Sequence, residues 1–401
     1  MTDSDEPTID DVAWLVGPEG DRCLQELAGL ENTAATDKKL FQFARRLGNA
    51  RASLLSMIWH SRQRGKRKFE YADRMFFTPT ALEQATDSIL AEYKAARFPR
   101  DARLADLCCG IGGDLVAMAQ VGQVSGVELD PLVAEFAAAN AKALGKECEV
   151  LQGRAEDFPL ASVAAWHIDP DRRASGKRTT DVDQMQPDMA TIAQMLAKNP
   201  NAAIKLAPAT SLPEAWAANC QLEWLGWNRE CQQQVAWFGA LRKEEADRMA
   251  TVVSPTGPEG ELTAQSIQGN GAEPIPFAAG LGKYVYEPVA PVLAAHLTGA
   301  LAARENCAVL APGIVYLTSD EWRSTRLMQG FQVMEEMAFD RRKLKARLRE
   351  LRMGRLEIKV RGVDESPEKI RKQLEVEGER AGVILIYRGR GGVRAIVAER
   401  T

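Results

Sequence analysis

The sequence predicts an α/β protein built on a seven-stranded sheet, with an N-terminal helical region and a small C-terminal α+β region. Three observations lead to this prediction. From Ala102 onward, short apolar runs alternate with amphipathic segments, the order expected of a parallel sheet covered by helices. Upstream of that point, apolar residues recur at three- and four-residue intervals, which is typical of helices. Near the end, a strand, a helix and two further strands follow one another.

Residues 1–98 are predicted to form an N-terminal helical domain. FQFARRLGNARASLLSMIW and PTALEQATDSILAEYKAARF carry apolar residues at helical spacing. Thr78 can cap the free amides at the start of the second helix, and Pro79 suits its first position because no N–H is needed there. The sequence therefore predicts one helix that begins after Thr78.

Residues 99–245 are predicted to form the α/β core. A helix between its second and third strands places Phe136 and Asn140 near one face. The Gly-, Pro- and Ser-rich residues 246–280 predict a linker or long loop, and 281–401 a C-terminal α+β domain whose last helix begins at Ser366. The core strands are expected near LADLC, VSGVE, ECEVLQ, VAAWHID, AAIKLA, QLEWLGW and QQVAWFG.

Composition limits the classes of function. The chain has 401 residues, of which 45% are hydrophobic and 26% charged, the range of globular proteins. No run approaches the roughly 20 apolar residues of a membrane helix, and the acidic start lacks the order of a secretory signal, so we expect a cytoplasmic protein. The seven cysteines lack the paired spacing of a zinc site, and the three histidines are far apart in the sequence. We therefore predict no metal site.

The net charge of −4 hides a strongly basic stretch. Residues 340–361 contain ten Lys and Arg against three acids. Arg388, Arg390 and Arg394 follow, and SRQRGKRK near residue 65 adds five more cations. Such a surface can neutralise nucleic-acid phosphates, although a charge run is also typical of a solvated helix face. Charge alone therefore leaves two interpretations of the C-terminal domain open, a nucleic-acid-binding surface and a solvated one.

The strongest local pattern is ADLCCGIGGDLVAMA, a strand that ends near an acid, a Gly-rich turn and a helix. Gly110, Gly112 and Gly113 allow positive φ and leave room for a ligand beside the free helix amides. Eighteen residues after Gly110, Glu128 ends the next strand and can accept hydrogen bonds from ribose hydroxyls. A nicotinamide-binding fold shares this plan, but GIGGD differs from GxGxxG, and Asp106 suits an ammonium group.

DLCCGIGGD, GVELDP and IDPDRR resemble the first, second and fourth motifs of class I S-adenosylmethionine-dependent methyltransferases. MFFTPTALEQAT resembles the segment before the core of trimethylguanosine synthase-like enzymes, and the whole chain is similar to methyltransferases that carry a THUMP-like domain. The resemblance implies a Rossmann-like methyltransferase sheet and S-adenosylmethionine as cofactor. The residues that it implies around this cofactor come from the helical region and the core: Thr78, Asp106, Cys108, Gly110, Gly112, Glu128 and Asp157. Arg154 stands where many relatives carry the acid that meets adenine, so Glu156 remains an alternative to Asp157.

Methyl transfer is an in-line displacement that depends chiefly on positioning the nucleophile. The resemblance places the end of the fourth strand opposite the methyl group, which makes Asp169 the candidate that orients or deprotonates the acceptor. Pro170 and Arg172 are the other predicted catalytic residues. No aromatic residue follows them as in amine-methylating relatives, whereas Arg172 and Arg173 would suit a phosphate or carboxylate near the acceptor, or simply form surface ion pairs.

The leading hypothesis is an RNA methyltransferase whose basic C-terminal domain binds the RNA, because the THUMP domains that this domain resembles accompany RNA-modifying enzymes. Two alternatives remain open: a methyltransferase of a protein or small anionic molecule, and an RNA-binding protein that holds the cofactor without turnover. A nicotinamide-dependent oxidoreductase is the fourth interpretation. It shares the glycine turn, but it gives no role to the final pair of core strands.

Overall fold

The computed structural model describes residues 7–30, 33–172, 184–243, 246–256 and 261–401. The chain divides into two compact units. The first comprises Met1–Gln221, Gln234–Lys243 and Pro255–Leu262, and the second comprises Leu222–Gln233, Glu244–Ser254 and Thr263–Thr401.

Four helices open the first unit, as the apolar spacing predicts: α1 (Ile9–Val16), α2 (Pro18–Ala28), α3 (Thr33–Leu47) and α4 (Asn49–Gly65). Their buried faces share one apolar core that includes Leu15, Leu55 and Ile58. Phe136 from the α/β core packs into the same cluster. The helical region and the α/β core are therefore joined by common packing within this unit.

The single helix expected after Thr78 is two helices, α5 (Pro79–Gln84) and α6 (Ser88–Ala95). Thr78 caps α5 as predicted, since its hydroxyl accepts the amide of Ala81 at 3.0 Å. The break follows from two polar groups. Asp87 caps the start of α6, and the Lys68 ammonium ends α5 by donating to three of its last carbonyls. These carbonyls, 2.8–2.9 Å from Nζ, belong to Leu82, Glu83 and Ala85.

All seven strands predicted for the core form: β1 (Arg103–Leu107), β2 (Gln123–Glu128), β3 (Glu149–Gln152), β4 (Ala165–Ile168), β5 (Ala202–Leu206), β6 (Gln221–Trp227) and β7 (Glu230–Trp237). Six of them form the part of the sheet in the first unit, in the order β3-β2-β1-β4-β5-β7. The first five strands are parallel, and β7 is antiparallel to β5. The helices of this sheet region are α7 (Gly113–Met118), α8 (Pro131–Ala143), α9 (Met189–Lys198) and α10 (Glu214–Ala217).

The strand register places the predicted acids together. Leu107, the last residue of β1, pairs with Val127 of β2 on one side and with Ile168 of β4 on the other. Glu128 and Asp169 directly follow these partners. Because parallel strands end at one edge of a sheet, both acids flank the Gly-rich turn that leaves β1.

The linker or long loop expected over 246–280 is largely wrong, because β8 (Arg248–Thr256) and β9 (Glu261–Gly269) occupy most of it. In the second unit β6 pairs in parallel with β8. Residues 249–253 are buried and rich in β-branched side chains, which favours a strand. The prediction gave too much weight to Gly and Pro residues that are concentrated near the connection between the two strands.

The second unit also holds β10 (Tyr284–Pro288), α11 (Ala290–Ala294), α12 (Thr298–Glu305), β11 (Ala308–Val309), β12 (Leu317–Ser319), β13 (Met328–Ala338), α13 (Arg341–Glu350), β14 (Met353–Arg361), α14 (Pro367–Leu374), β15 (Arg380–Gly389) and β16 (Gly392–Arg400). Its seven-stranded sheet has the order β11-β12-β10-β13-β16-β15-β14. Only β14 and β15 pair in parallel.

The α/β class with a C-terminal α+β region is confirmed. In the described ranges, no helix is long and apolar enough to cross a membrane.

Candidate cofactor and acceptor site

The Gly-rich turn between β1 and α7 has the predicted left-handed backbone. Gly110 has φ +56° and Gly112 has φ +83°, whereas Gly113 begins α7 without a positive φ. Cys108 also has a positive φ, +55°, which is unusual for a residue with a side chain. A Cβ atom placed on Gly110 would meet no atom within 4 Å, so this part of the turn borders open space.

Glu128 holds the turn in place. Its Oε2 accepts the amide of Gly110 at 2.9 Å, and its Oε1 accepts the amide of Asp130 at 3.0 Å. Burial raises the pKa of Glu128 above its ordinary value, while these amide bonds oppose that rise. Glu128 therefore lies beside the turn, as a ribose-binding acid requires.

Asp106 is 1% exposed at the end of β1. Its Oδ1 lies 2.7 Å from Nδ1 of His167, which is equally buried on β4. Its Oδ2 is buried and makes no hydrogen bond within the described residues. An unpartnered buried carboxylate oxygen is costly, and a cationic group at this position would satisfy it.

Cys108 is half-buried in the same turn. Burial raises the pKa of its thiol well above the ordinary value, with Glu128 adding to the effect. The protonated thiol is a weak nucleophile. Cys108 can therefore line a cofactor site but is not prepared for covalent catalysis.

Asp169 lies at the end of β4 in an ion pair that the sequence did not predict. Lys205 on β5 places Nζ 2.5 Å from Oδ2 of Asp169 and also donates to the carbonyl of Gln84 at 2.9 Å. The amide side chain of Gln84 donates to Asp171 at 3.1 Å. The end of α5 is thus tied to both Asp169 and Asp171.

Pro170 is buried, and Arg172 is half-buried at the limit of the described chain. Arg173 lies outside the described residues. Asp171 exchanges two backbone hydrogen bonds with Gln186, at 2.8 and 2.9 Å. This pairing fixes the backbone just after Asp169. The catalytic roles of Pro170 and Arg172 remain predictions.

Asn140 joins the segment before Thr78 to the Gly-rich turn. Its side-chain amide donates to the carbonyls of Phe76 and Ile111 at 3.0 and 2.9 Å, and its oxygen accepts the amide of Phe76. The side chain is fully buried on α8. Thr78 therefore lies two residues from a segment that is held against the turn.

Asp157 is exposed on a 3₁₀ turn after β3. Glu156, the alternative, lies 2.5 Å from Arg154 in an ion pair. The role of either acid at the adenine end of the cofactor remains a prediction.

Sequence reasoning missed His167, Lys205 and Gln84. His167 and Lys205 carry polar side chains inside apolar strands, AWHI and AAIKL, and this was the available signal. A polar residue at a buried strand position requires a partner. The partners come from distant parts of the chain, which a single sequence does not identify.

Much of the basic C-terminal stretch is neutralised by acids of the second unit. Ion pairs join Arg341 to Glu365, Arg347 to Glu335 and Glu350, Lys345 to Glu375, Lys359 and Arg361 to Glu287, and Arg394 to Glu336. Arg390 lies over the exposed ring of Phe277. Within residues 340–361, all of which the structure describes, five exposed cations make no ion pair: Arg342, Lys343, Arg349, Arg352 and Arg355. Arg342, Lys345 and Arg349 share one face of α13 by their spacing.

Comparison with known proteins finds a THUMP-like family match and relatives among the methyltransferases. Residues 328–400 match the family described as THUMP domain-like. The chain is 28% identical over 327 residues to uncharacterized S-adenosylmethionine-dependent methyltransferases of two Mycobacterium tuberculosis strains, which covers 80% of this chain and 87% of theirs. A crystal structure of a proposed methyltransferase from Porphyromonas gingivalis W83 has the same fold, with a TM-score of 0.74, 18% identity and 98% coverage of both chains.

The THUMP-like match spans β13 to β16 and the two helices among them. The methyltransferase relatives extend over most of the remaining chain, in which the Gly-rich turn and the two flanking acids lie. These findings confirm the predicted class, an S-adenosylmethionine-dependent methyltransferase that carries a THUMP-like C-terminal domain.

Proposed function

We propose that this methyltransferase acts on RNA and that the acceptor atom is presented to Asp169. The cofactor supplies the methyl group as a sulfonium when it is bound. Asp106, Cys108, Gly110 and Gly112 would surround its amino-acid end, and Glu128 its ribose. Thr78 and Asp157 are the proposed outer contacts.

The buried Asp106 oxygen supports this arrangement because it fits an ammonium group and nothing in the described chain satisfies it. Gly110 supports it because its missing side chain leaves open space beside Glu128. Both features lie at the carboxyl edge of the sheet, where α/β enzymes bind their ligands.

The Asp169–Lys205 pair supports the proposed acceptor position. The Asp169 side chain is 23% exposed and that of Lys205 is 6% exposed, so the pair opens toward solvent on the carboxylate side. Lys205 holds Oδ2 and orients the carboxylate, while Oδ1 can accept a hydrogen bond from the acceptor. Such a bond would align the acceptor for in-line attack and receive its proton.

The observation that carries the RNA proposal is the basic face of α13 within the THUMP-like domain. Arg342 and Arg349 are exposed there, and neither forms an ion pair with an acid of the described chain. Guanidinium groups bind phosphate strongly and in fixed geometry. A nucleic-acid backbone carries phosphates at regular intervals, and several cations on one helix face can bind such a series.

Purified protein incubated with radiolabelled cofactor and total RNA, followed by digestion to nucleosides, tests this function. We expect labelled nucleosides from the wild type. We expect Lys205→Met and Asp169→Asn to lower the rate about 100-fold or more while retaining cofactor binding, since positioned acid–base groups contribute about that much. Lys198→Met, an exposed lysine on α9, is the matched control and should keep full activity.

The same experiment separates the alternatives. Label in protein or small molecules with none in RNA would show that the acceptor class is wrong. Cofactor binding without label in any fraction of a lysate would favour an RNA-binding protein that lacks turnover. Absence of cofactor binding would contradict all of these assignments.

A further inference from the structure

A chain of five buried polar side chains runs beneath the Gly-rich turn. Thr86, Lys94, Asp106, Asp114 and His167 are each less than 9% exposed. They come from five different parts of the first unit: the α5–α6 connection, α6, β1, α7 and β4. The acceptor role assigned to Asp169 uses none of these side chains.

The hydrogen bonds form a single line. The Thr86 hydroxyl donates to Asp114 at 2.6 Å, and the Lys94 ammonium lies 2.8 Å from the other Asp114 oxygen. Lys94 Nζ is 3.2 Å from Nε2 of His167, and Nδ1 of His167 is 2.7 Å from Asp106. The line ends at Oδ2 of Asp106, which has no hydrogen bond within the described residues.

The donors and acceptors determine the tautomer of His167. A lysine ammonium has only donors, so its contact with Nε2 requires that Nε2 accept. The ring proton must then be on Nδ1, where it is donated to Asp106. The contact with Lys94 therefore makes Nδ1 of His167 a hydrogen-bond donor to Asp106. That hydrogen bond fixes the orientation of the Asp106 carboxylate.

The charges leave one negative charge in excess. Asp106 and Asp114 are two acids, Lys94 is one cation, and His167 is neutral in the tautomer just described. Lys205 and Asp169, which lie nearby, balance each other in their own pair. Burial raises the pKa of Asp106, so its ionised form, with one oxygen free, requires a cationic partner.

We propose that His167 and Lys94 are positioning residues for the cofactor, which aim Oδ2 of Asp106 at the ammonium of its amino-acid end. This inference rests on the proposed cofactor site at Asp106. It predicts that His167 matters for ligands that carry the ammonium group and not for ligands that lack it.

Two ligands test this by calorimetry. S-Adenosylhomocysteine has the amino-acid end, and 5′-methylthioadenosine lacks it. We expect His167→Leu to lower the affinity for S-adenosylhomocysteine about 10- to 100-fold, which corresponds to the loss of one hydrogen bond to a charged group. The affinity for 5′-methylthioadenosine should change by no more than about twofold. His167→Asn places an amide donor near the position of Nδ1 and should restore most of the lost affinity.

A stability control is needed because His167 is buried. Ile192→Ala creates a cavity in α9 and should lower the melting temperature without changing the ratio of the two affinities. If His167→Leu weakens both ligands equally, or weakens neither, the positioning role is overturned. If the wild type binds both ligands with equal affinity, the ammonium is not held and the inference fails, whereas binding of neither ligand contradicts the cofactor site itself.

Discussion

At the scale of single residues, the Lys94–Asp114 pair is an ion pair that is almost completely buried. The Lys94 side chain is 2% exposed and that of Asp114 is 9% exposed. Burial lowers the pKa of Lys94. Burial alone would raise the pKa of Asp114, but the charge of Lys94 outweighs it and holds that pKa well below its usual range. Each charge is therefore tolerated only because the other is present.

Lys94→Met leaves Asp114 buried without its cation and should lower the free energy of unfolding by about 3–5 kcal/mol at pH 7. In the wild type, the stability that Asp114 contributes is present above its unfolded-state pKa and is lost only as pH falls through the depressed folded value. In Lys94→Met the unpaired carboxyl should have a raised pKa instead. The stability difference should therefore shrink as pH falls from 7 to 4, because the variant relieves its cost by binding a proton.

Urea unfolding at both pH values measures this difference. Lys94→Met combined with Asp114→Asn removes both charges and should recover most of the loss at pH 7. A double variant as unstable as Lys94→Met alone would show that Lys94 contributes by packing and not by its charge.

The sequence predicts single residues well where the requirement is local. Thr78, Gly110 and Gly112 have the cap or the positive φ expected from their neighbours in the chain. His167 needs partners 61 and 73 residues away, and Lys205 needs one 36 residues away. Their roles depend on the strand order, which places β4 beside β1 and β5, and no local pattern contains that information.

At the scale of elements, the same contrast explains which boundaries were predicted. The core strands have strong periodicity and form where expected, and the final helix begins after its predicted cap, Ser366, but ends at Leu374. The break between α5 and α6 depends on Lys68, which lies 14 residues before the first carbonyl it binds. Burial lowers the pKa of this ammonium to about 8. Helical spacing alone could not reveal this distant cap.

Asn140 connects three elements through one side chain, so its isosteric replacement by Asp tests that connection. Asn140→Asp removes the donor to the carbonyls of Phe76 and Ile111 and buries a carboxyl in its place. We expect the free energy of unfolding to fall by about 3 kcal/mol or more, since each unsatisfied buried group costs about 1–3 kcal/mol. Cofactor affinity should fall as well, because the turn loses its anchor at Ile111.

Asn219→Asp provides the matched control, because the Asn219 amide also donates to a carbonyl but is exposed. Its effect in urea unfolding should stay within about 0.5 kcal/mol. Equal losses at the two positions would mean that the buried bonds of Asn140 do not hold the turn.

At the scale of the whole molecule, sequence charge overstates the basic surface that is available to a polyanion. Arg62 of SRQRGKRK donates to the carbonyl of Met75, and burial lowers its pKa to about 10. Lys68 is used within the first unit as a helix cap. The acids that pair with the C-terminal cations are far from them in sequence, as Glu287 is from Arg361. A count of charges could predict that a basic face exists but not which residues compose it.

The charges that remain available define the last prediction. Arg342→Ala with Arg349→Ala removes two exposed cations seven residues apart on α13. If both bind phosphates, the slope of log affinity against log salt concentration for bulk RNA should fall by about 1.4 to 1.8, because each contact contributes about 0.7 to 0.9. Lys38→Ala with Arg45→Ala removes two exposed cations at the same spacing on α3 and should leave the slope unchanged. Equal slopes for the two double variants would show that RNA binding, if present, does not use α13. Filter binding between 50 and 200 mM salt covers the range in which such slopes are well determined.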